Sequence, residues 1–533
     1  MMYYPSNATK VNEDNLAIQL YGKRIYEGQT VGEYLLEFLL VFLGANDGRG
    51  GFNINHDPAH SVEYSTNPNI GLKRFIFFEN SKAENKHNID RQASKAINEL
   101  VRNQIVSDKY SSNFILHQIK DLFYGFSMIT NKRSWFAQAM LPLCEELVFC
   151  EAQNKPSRKT YKYFIEDNIN KKIDTDFEFT KHSFMGRGGE VYYMHILQGI
   201  QNIREIKGNA EAEMITRDIE QGIHNLLSSF PQFKQLSEHV QNVWEKHLKL
   251  NMESEGIKKD DENNWVKEHH KRGDMKCEWI KASYCKYAEY SIDEIRHILS
   301  TSISELEKLE LLNIGIILQL FRLMINEAYA LSQDEKHSMP IWLIQIPSID
   351  TVDDKVKKMA VKYYNAIENY MITALAKQLE KKHKYKLNSE EDQHSLPDNN
   401  KCIKELKDAY KNSHKLLRKI GKDIGLIIPI SNQNMRFTIS DDLLKYFVLS
   451  MIEPDSSITL DSFLSKLYRY YGIVIREDEY IRHFKMLDNS DVYAPCLSKN
   501  HEEFIIQLRQ NGFLKELSDA TAIVINPYER ECK

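Results

Sequence analysis

Proline is scarce in this 533-residue chain, with 13 residues, and glycine numbers only 22. So little of either excludes a collagen-like or proline-rich low-complexity chain. The seven cysteines (Cys144, Cys150, Cys277, Cys285, Cys402, Cys496, Cys532) are odd in number and scattered, which fits reduced thiols in a cytoplasm better than a disulfide framework. An excess of one charge is lacking too: 70 Lys and Arg stand against 75 Asp and Glu, a net of -5. A globally basic nucleic-acid coat protein is thereby excluded, whereas a local basic patch is not. Nor is there a long apolar run. The longest, Tyr34 to Ala45, is interrupted by Glu37 and falls short of the ~20 residues a membrane crossing needs, so a buried core helix is expected there. Residues 1–7 lack a basic stretch followed by an apolar one, so no signal peptide is expected. The expectation is a soluble, cytoplasmic protein with no membrane partner.

What the chain does have is apolar content, 42% of residues, and length enough for roughly three or four folding units at about 100–200 residues each. Apolar residues recur at intervals of three and four over much of it, the period of amphipathic helices. The strongest case is Ser300 to Leu331, where Ile303, Leu306, Leu309, Leu312, Ile316, Leu320 and Leu323 form one stripe. Gly71 to Glu79 and Pro340 to Pro347 have the character of short strands. The glycines at 44, 48, 50 and 51 are expected to break any helix, making a loop of Gly44–Phe52. The architecture is expected to be mainly α. Four parts are expected: 1–155, α-rich with the Gly-rich loop; 156–350, helical; 351–430, a basic helical hairpin or linker; and 431–533, a terminal module.

That module is the most legible part. Ser440 is a good N-cap for a helix over about 441–452, with Asp441 and Asp442 favouring its first turn. Thr459 to Ser462 cap a second helix that Gly472 stops, Ile473 to Ile475 form a short strand, and a third helix over about 501–511 ends at Gly512. An apolar strand closes the chain. Helix, turn, helix, helix, then β is the order of a winged-helix-like module, whose usual role is to lay a helix in the DNA major groove. Charge opposes that role: residues 441–533 carry 11 Lys and Arg against 16 Asp and Glu, a local -5. Contact with protein is the stronger expectation.

Two glycine-rich segments are candidates for holding an anion. In His182 to His195, the residues Gly186, Arg187, Gly188 and Gly189 open a helix, so backbone N–H groups, the helix dipole and a guanidinium would converge on a phosphate. The plainer alternative is a tight turn in which Arg187 pairs with Glu190 while Tyr192 and Tyr193 pack. Gly44 to Phe52, with Arg49, lacks the strand-then-helix setting of a phosphate loop, so a surface turn is favoured. No Walker A pattern follows either segment. Glu79 with Lys82, and Glu151 with Lys155, miss the Glu-X-Lys spacing of restriction-type nucleases. His269, His270, Cys277 and Cys285 cluster without a Cys-X2-Cys pair, so no metal is assigned. No catalytic residue or cofactor is expected.

Residues 355–423 are basic, with 17 Lys and Arg against nine Asp and Glu, a local +8. Lys381, Lys382 and Lys384, then Lys411, Lys415, Arg418 and Lys419, are candidate nucleic-acid contacts, with a solvated helix face as the alternative. The polar residues 388–400 between them are expected to form a flexible loop.

The phrase Phe184 to Tyr193, with Gly472 to Ile475 and Gly512 to Ala520, resembles segments of helical, non-ATPase accessory proteins of bacterial phage-defence and DNA-restriction cassettes. The resemblance implies a subunit working beside an ATPase or nuclease partner, and it carries over no catalytic residue. The abundance of Lys, Asn, Ile and Tyr suits an AT-rich bacterial genome. The expected function is therefore a non-catalytic interaction subunit of a multi-protein anti-phage or DNA-restriction system, binding partner proteins, with DNA contact left open. A divergent metal-dependent nuclease built on Glu79 and Glu151, and a winged-helix transcription regulator, are the alternatives.

Overall fold

The computed structural model describes residues 15–23, 25, 28–56, 61–64, 98–124, 145, 152–154, 177–179, 187–231, 234–236, 238–240, 242–243, 275–277, 287–333, 339–347, 354–387, 399–431, 433–485, 494–517 and 522–531. These residues are mainly helical. The helices are α1 (Leu16–Tyr21), α2 (Val31–Gly48), α3 (Ser112–Tyr124), α4 (Gly188–Lys207), α5 (Asn209–Ser228), α6 (Ala288–Ser300) and α7 (Glu305–Gln333). They continue as α8 (Asp354–Leu387), α9 (Asn399–Lys411), α10 (His414–Asp423), α11 (Asp441–Met451), α12 (Leu460–Tyr471), α13 (Glu477–Lys485) and α14 (Cys496–Gln510). Strands are short: β1 (Val62–Tyr64), β2 (Ala152–Asn154), β3 (Phe177–Phe179), β4 (Met275–Cys277), β5 (Trp342–Leu343) and β6 (Ile427–Ile428). The remainder are β7 (Arg436–Phe437), β8 (Ser457–Thr459), β9 (Ile473–Val474), β10 (Leu514–Glu516) and β11 (Ala522–Ile525).

Helix α7 is the axis on which the others pack: α8, α2, α6, α4 and α11 all lie against it. The predicted stripe is buried from Leu309 to Leu323, while Leu306 stays partly exposed. Burial extends round the rest of the helix and takes in Lys308, Asn313, Gln319 and Arg322. The helix starts at Glu305 rather than Ser300, because α6 runs to Ser300 and Ser304 Oγ accepts the Glu307 N–H at 3.3 Å. By length and apolarity α7 is long enough to cross a membrane, but 89% of its most apolar window is buried inside the protein.

The apolar run at 34–45 forms the core helix expected of it, and α2 then continues past Gly44 to Gly48. Chain reversal waits for Gly48, Gly50 and Gly51, where φ is positive. α4 packs on α2 and α6 closely enough to need glycine at the contacts. A Cβ on Gly189 would lie 2.5 Å from the Phe38 backbone nitrogen, and one on Gly199 would lie 2.6 Å from the Ala288 carbonyl oxygen.

The C-terminal elements follow their caps. Ser440 Oγ accepts the Leu443 N–H at 3.3 Å, Thr459 Oγ1 accepts that of Ser462 at 3.2 Å, and Gly472 takes the left-handed conformation that ends α12. The third helix begins earlier than expected, at Cys496, and α13 precedes it. β8, β11 and β10 form an antiparallel sheet in the order β10-β11-β8. β9 runs parallel to β5, with Trp342 beside Ile473 and Leu343 beside Val474. Asn500 of α14, buried, fastens the junction. Its amide donates to the carbonyls of Ile344 at 2.9 Å and Ile475 at 2.8 Å, and its oxygen accepts the Ile346 N–H at 2.9 Å. Trp342 stacks on Phe437, and Tyr364 meets the same ring edge-on. One continuous cluster of buried side chains runs from Leu16 to Val524.

The expected strand at 71–79 lies outside the described residues. At 151–180 the described ends pair as antiparallel strands, β2 with β3.

Gly189→Ala is expected to destabilise the protein by about 3 kcal/mol, because the added methyl meets backbone that cannot step aside. Gly208→Ala, with open space around its Cβ but φ at 95°, should cost only about 1 kcal/mol. Urea denaturation of the two variants checks the difference.

Candidate functional site

Arg187 precedes α4, whose first residues are Gly188 and Gly189; Gly186 lies outside the described residues. The positive end of this helix is met by the chain's own carboxylates. The Gly189 N–H donates to Glu37 Oε2 of α2 at 2.5 Å, and Arg187 Nη1 donates to Glu190 Oε1 at 2.5 Å. Glu190 also accepts the Tyr64 hydroxyl at 2.8 Å, while the Cys277 thiol points at the Glu190 carbonyl, 3.6 Å away. β1 and β4 pair antiparallel, which brings Tyr64 and Cys277 to one place. Both carboxylates are fully buried. Burial pushes the Cys277 thiol up and Glu190 adds to the effect, so the sulfur stays protonated and unreactive. Burial opposes the charge on Arg187, but Glu190 outweighs it and holds the guanidinium above its ordinary value. The Arg187–Glu190 pair and the packed Tyr192 and Tyr193 are thus present, and a carboxylate sits on the amide that a phosphate would use.

The loop after α2 is held in the same way. The Phe52 N–H donates to Glu220 Oε1 of α5 at 2.6 Å, and a Cβ on Gly51 would lie 2.3 Å from that same oxygen. Tyr193 donates to the Gly51 carbonyl at 2.9 Å, and Arg204 to the Ile54 carbonyl at 2.5 Å. Arg49 is exposed and bonds back to the Asn46 carbonyl at 3.1 Å. The loop lies pinned along α4 and α5.

The basic candidates divide. Lys382 pairs with Glu405 at 3.1 Å, Arg418 with Glu368, and Lys419 donates to the Gln29 carbonyl at 3.3 Å. These three hold α8, α9, α10 and the segment before α2 together. Lys381 and Lys415 are exposed, as is Lys411, which pairs with Asp408 at 3.2 Å. The side chain of Lys384 lies outside the described residues. Lys401, Lys404 and Lys407 of α9 are also exposed. They are not among the sequence candidates, although their spacing with Lys411 (three, three and four residues) signals a single helix face.

A buried polar network joins α6, α7, α12 and α4. Gln319 Nε2 donates to Glu294 Oε2 at 2.6 Å and to the Tyr471 hydroxyl at 2.9 Å, and Tyr471 donates to the other Glu294 oxygen. Arg322 Nε donates to Gln319 Oε1 at 2.8 Å, and its Nη2 lies 3.4 Å from His195 Nε2, which meets Ser291 Oγ at 2.9 Å. Burial pushes the Glu294 carboxyl up to about 7, against the pull of Tyr471 and Arg322. No local motif connects these residues, so the sequence offered no signal for them.

Glu79 and Glu151, the nuclease candidates, lie outside the described residues, as do His269, His270 and Cys285. Among the described residues no group of three His, Cys, Asp or Glu side chains converges as metal ligands would. No family model, curated protein sequence or solved structure matches this chain.

Two buried groups set opposed pH dependences. Glu294 is raised, so the folded chain holds a proton that the unfolded chain releases. Its contribution is full below its unfolded value near 4.3 and is lost as pH rises to about 7. Burial, aided by Arg418 and Lys415, lowers His414 to about 4, so its contribution is present above about 6.5 and is lost as pH falls. Glu294→Gln is expected to remove the part of that slope that Glu294 supplies, on the order of 3 kcal/mol, so the variant loses less stability than the wild type as pH rises from 4.5 to 7. Thermal melts of the wild type and this variant between pH 4.5 and 8 check it.

Proposed function

We propose that this chain is a non-catalytic interaction subunit of a bacterial multi-protein anti-phage or DNA-restriction system. In this reading it is a multi-domain helical protein of the cytoplasm. Its C-terminal segment is a winged-helix-like module that binds a protein partner, an ATPase or nuclease. The element order supports the module: α11, β8, α12, α14, β10 and β11, with the sheet order β10-β11-β8, run as helix, strand, two helices and two strands. β9, which pairs with β5, and α13 are insertions in that scheme.

The observation that carries the choice of partner is the solvent face of α14, the helix in the groove-reading position. Lys499, Glu502, Ile506, Arg509 and Gln510 are exposed there, a mixed face with an apolar residue at its centre. Such a face, in a module of net charge -5, suits protein better than phosphate. Glu37, Glu190 and Glu220 are each engaged within the fold, Glu37 on the Gly189 amide, Glu190 on Arg187 and Tyr64, and Glu220 on the Phe52 amide.

Co-expression with the products of the adjacent genes is expected to give one complex on size exclusion. Glu502→Lys with Ile506→Asp should weaken it at least about tenfold without lowering the melting temperature. Mg²⁺-dependent degradation of DNA by the purified chain alone would overturn the reading.

A further inference from the structure

We infer that the outer face of α9 binds the phosphate backbone of duplex nucleic acid without reading its sequence. Lys401, Lys404, Lys407 and Lys411 are all exposed. At 100° per residue they fall within an arc of about 120°, and at 1.5 Å per residue they span about 15 Å of helix axis. One strand of a duplex carries a phosphate about every 3.4 Å of its own axis, so the row runs beside about four of them.

The rest of α9 is built to keep this row outward. Ala409 is buried, while Leu406 and Tyr410 pack against the core. Glu405 is drawn inward onto Lys382, and the Cys402 thiol lies 3.2 Å from His383 Nε2. Asp408, paired with Lys411, is the carboxylate a phosphate would displace. Leu406, Ala409 and Tyr410 are engaged with the protein, and the half-exposed Ile403 alone is not the broad apolar face that an interfacial helix sinks into a lipid surface. Exposed lysines without an aromatic or bidentate fork suit point contacts to phosphate rather than base edges. The surface is separate from α14, so a chain that binds its partners but no duplex leaves the proposed function standing.

The test is fluorescence anisotropy of the full chain with two unrelated 20-base-pair duplexes between 50 and 300 mM KCl. Equal binding to both is expected, with a slope of log K against log salt of about -4. Replacing Lys401, Lys404 and Lys407 together by Gln should weaken binding about tenfold or more at 100 mM salt and reduce the slope by about three. Lys358→Gln with Lys362→Gln, exposed on α8, should change neither, and all variants should melt as the wild type does. Absence of duplex binding, or a slope unchanged in the triple variant, overturns the inference. So does tighter binding to phosphatidylserine vesicles or to polyglutamate than to the duplexes.

Discussion

The contact between the Glu37 carboxylate and the Gly189 amide fixes the rest of this structure. A buried carboxylate is costly unless it is fully engaged, and a helix N-terminus offers unpaired donors and a positive dipole end. Each supplies what the other lacks. The contact exists only because α4 begins with two glycines, which let it approach α2 to within backbone reach. With α2 and α4 locked, Phe38 meets Tyr192, Phe52 stacks on Tyr193, and Glu190 gathers Arg187 and Tyr64.

The loop after α2 repeats the principle, with Glu220 taking the Phe52 amide. Glycine-rich turns whose amides point at a common place attract anions, and here two such turns are filled by glutamates of neighbouring helices. The charge is therefore spent on tertiary structure. A sequence reader sees glycines and an arginine before a helix and infers an anion; the physics behind that inference holds, and the anion is internal.

Local signals were legible wherever one short segment carried the whole cause. Ser440, Thr459 and Gly472 bound their helices because a cap needs only the residues beside it. The stripe on α7 was visible, whereas the burial of Gln319 and Arg322 was not, since it depends on Glu294 and Tyr471 far away in the chain. α2 ran on through Gly44 because packing against α4 and α7 outweighs the low helix propensity of a single glycine. The short strand β8 escaped notice for want of alternation in three residues, and Asn500 looked like any surface polar residue in a helix. At the basic face, the candidate lysines form clusters in sequence, yet three of the basic side chains are turned to a carboxylate or a carbonyl of the protein itself. Helical spacing, rather than density of charge, identifies the outward row.

The junction held by Asn500 has a bearing on how the chain is made. β5 and β9 pair across some 130 residues, and Tyr21 bonds Ser413 across 392. Contacts of such separation close slowly, because a large loop must be ordered before they form. The central helices emerge from the ribosome long before α14, so Trp342 and Leu343, covered on one side by α8, wait for β9 and Asn500 to close the junction. Synthesis of this protein therefore passes through an interval in which one side of this junction stays exposed.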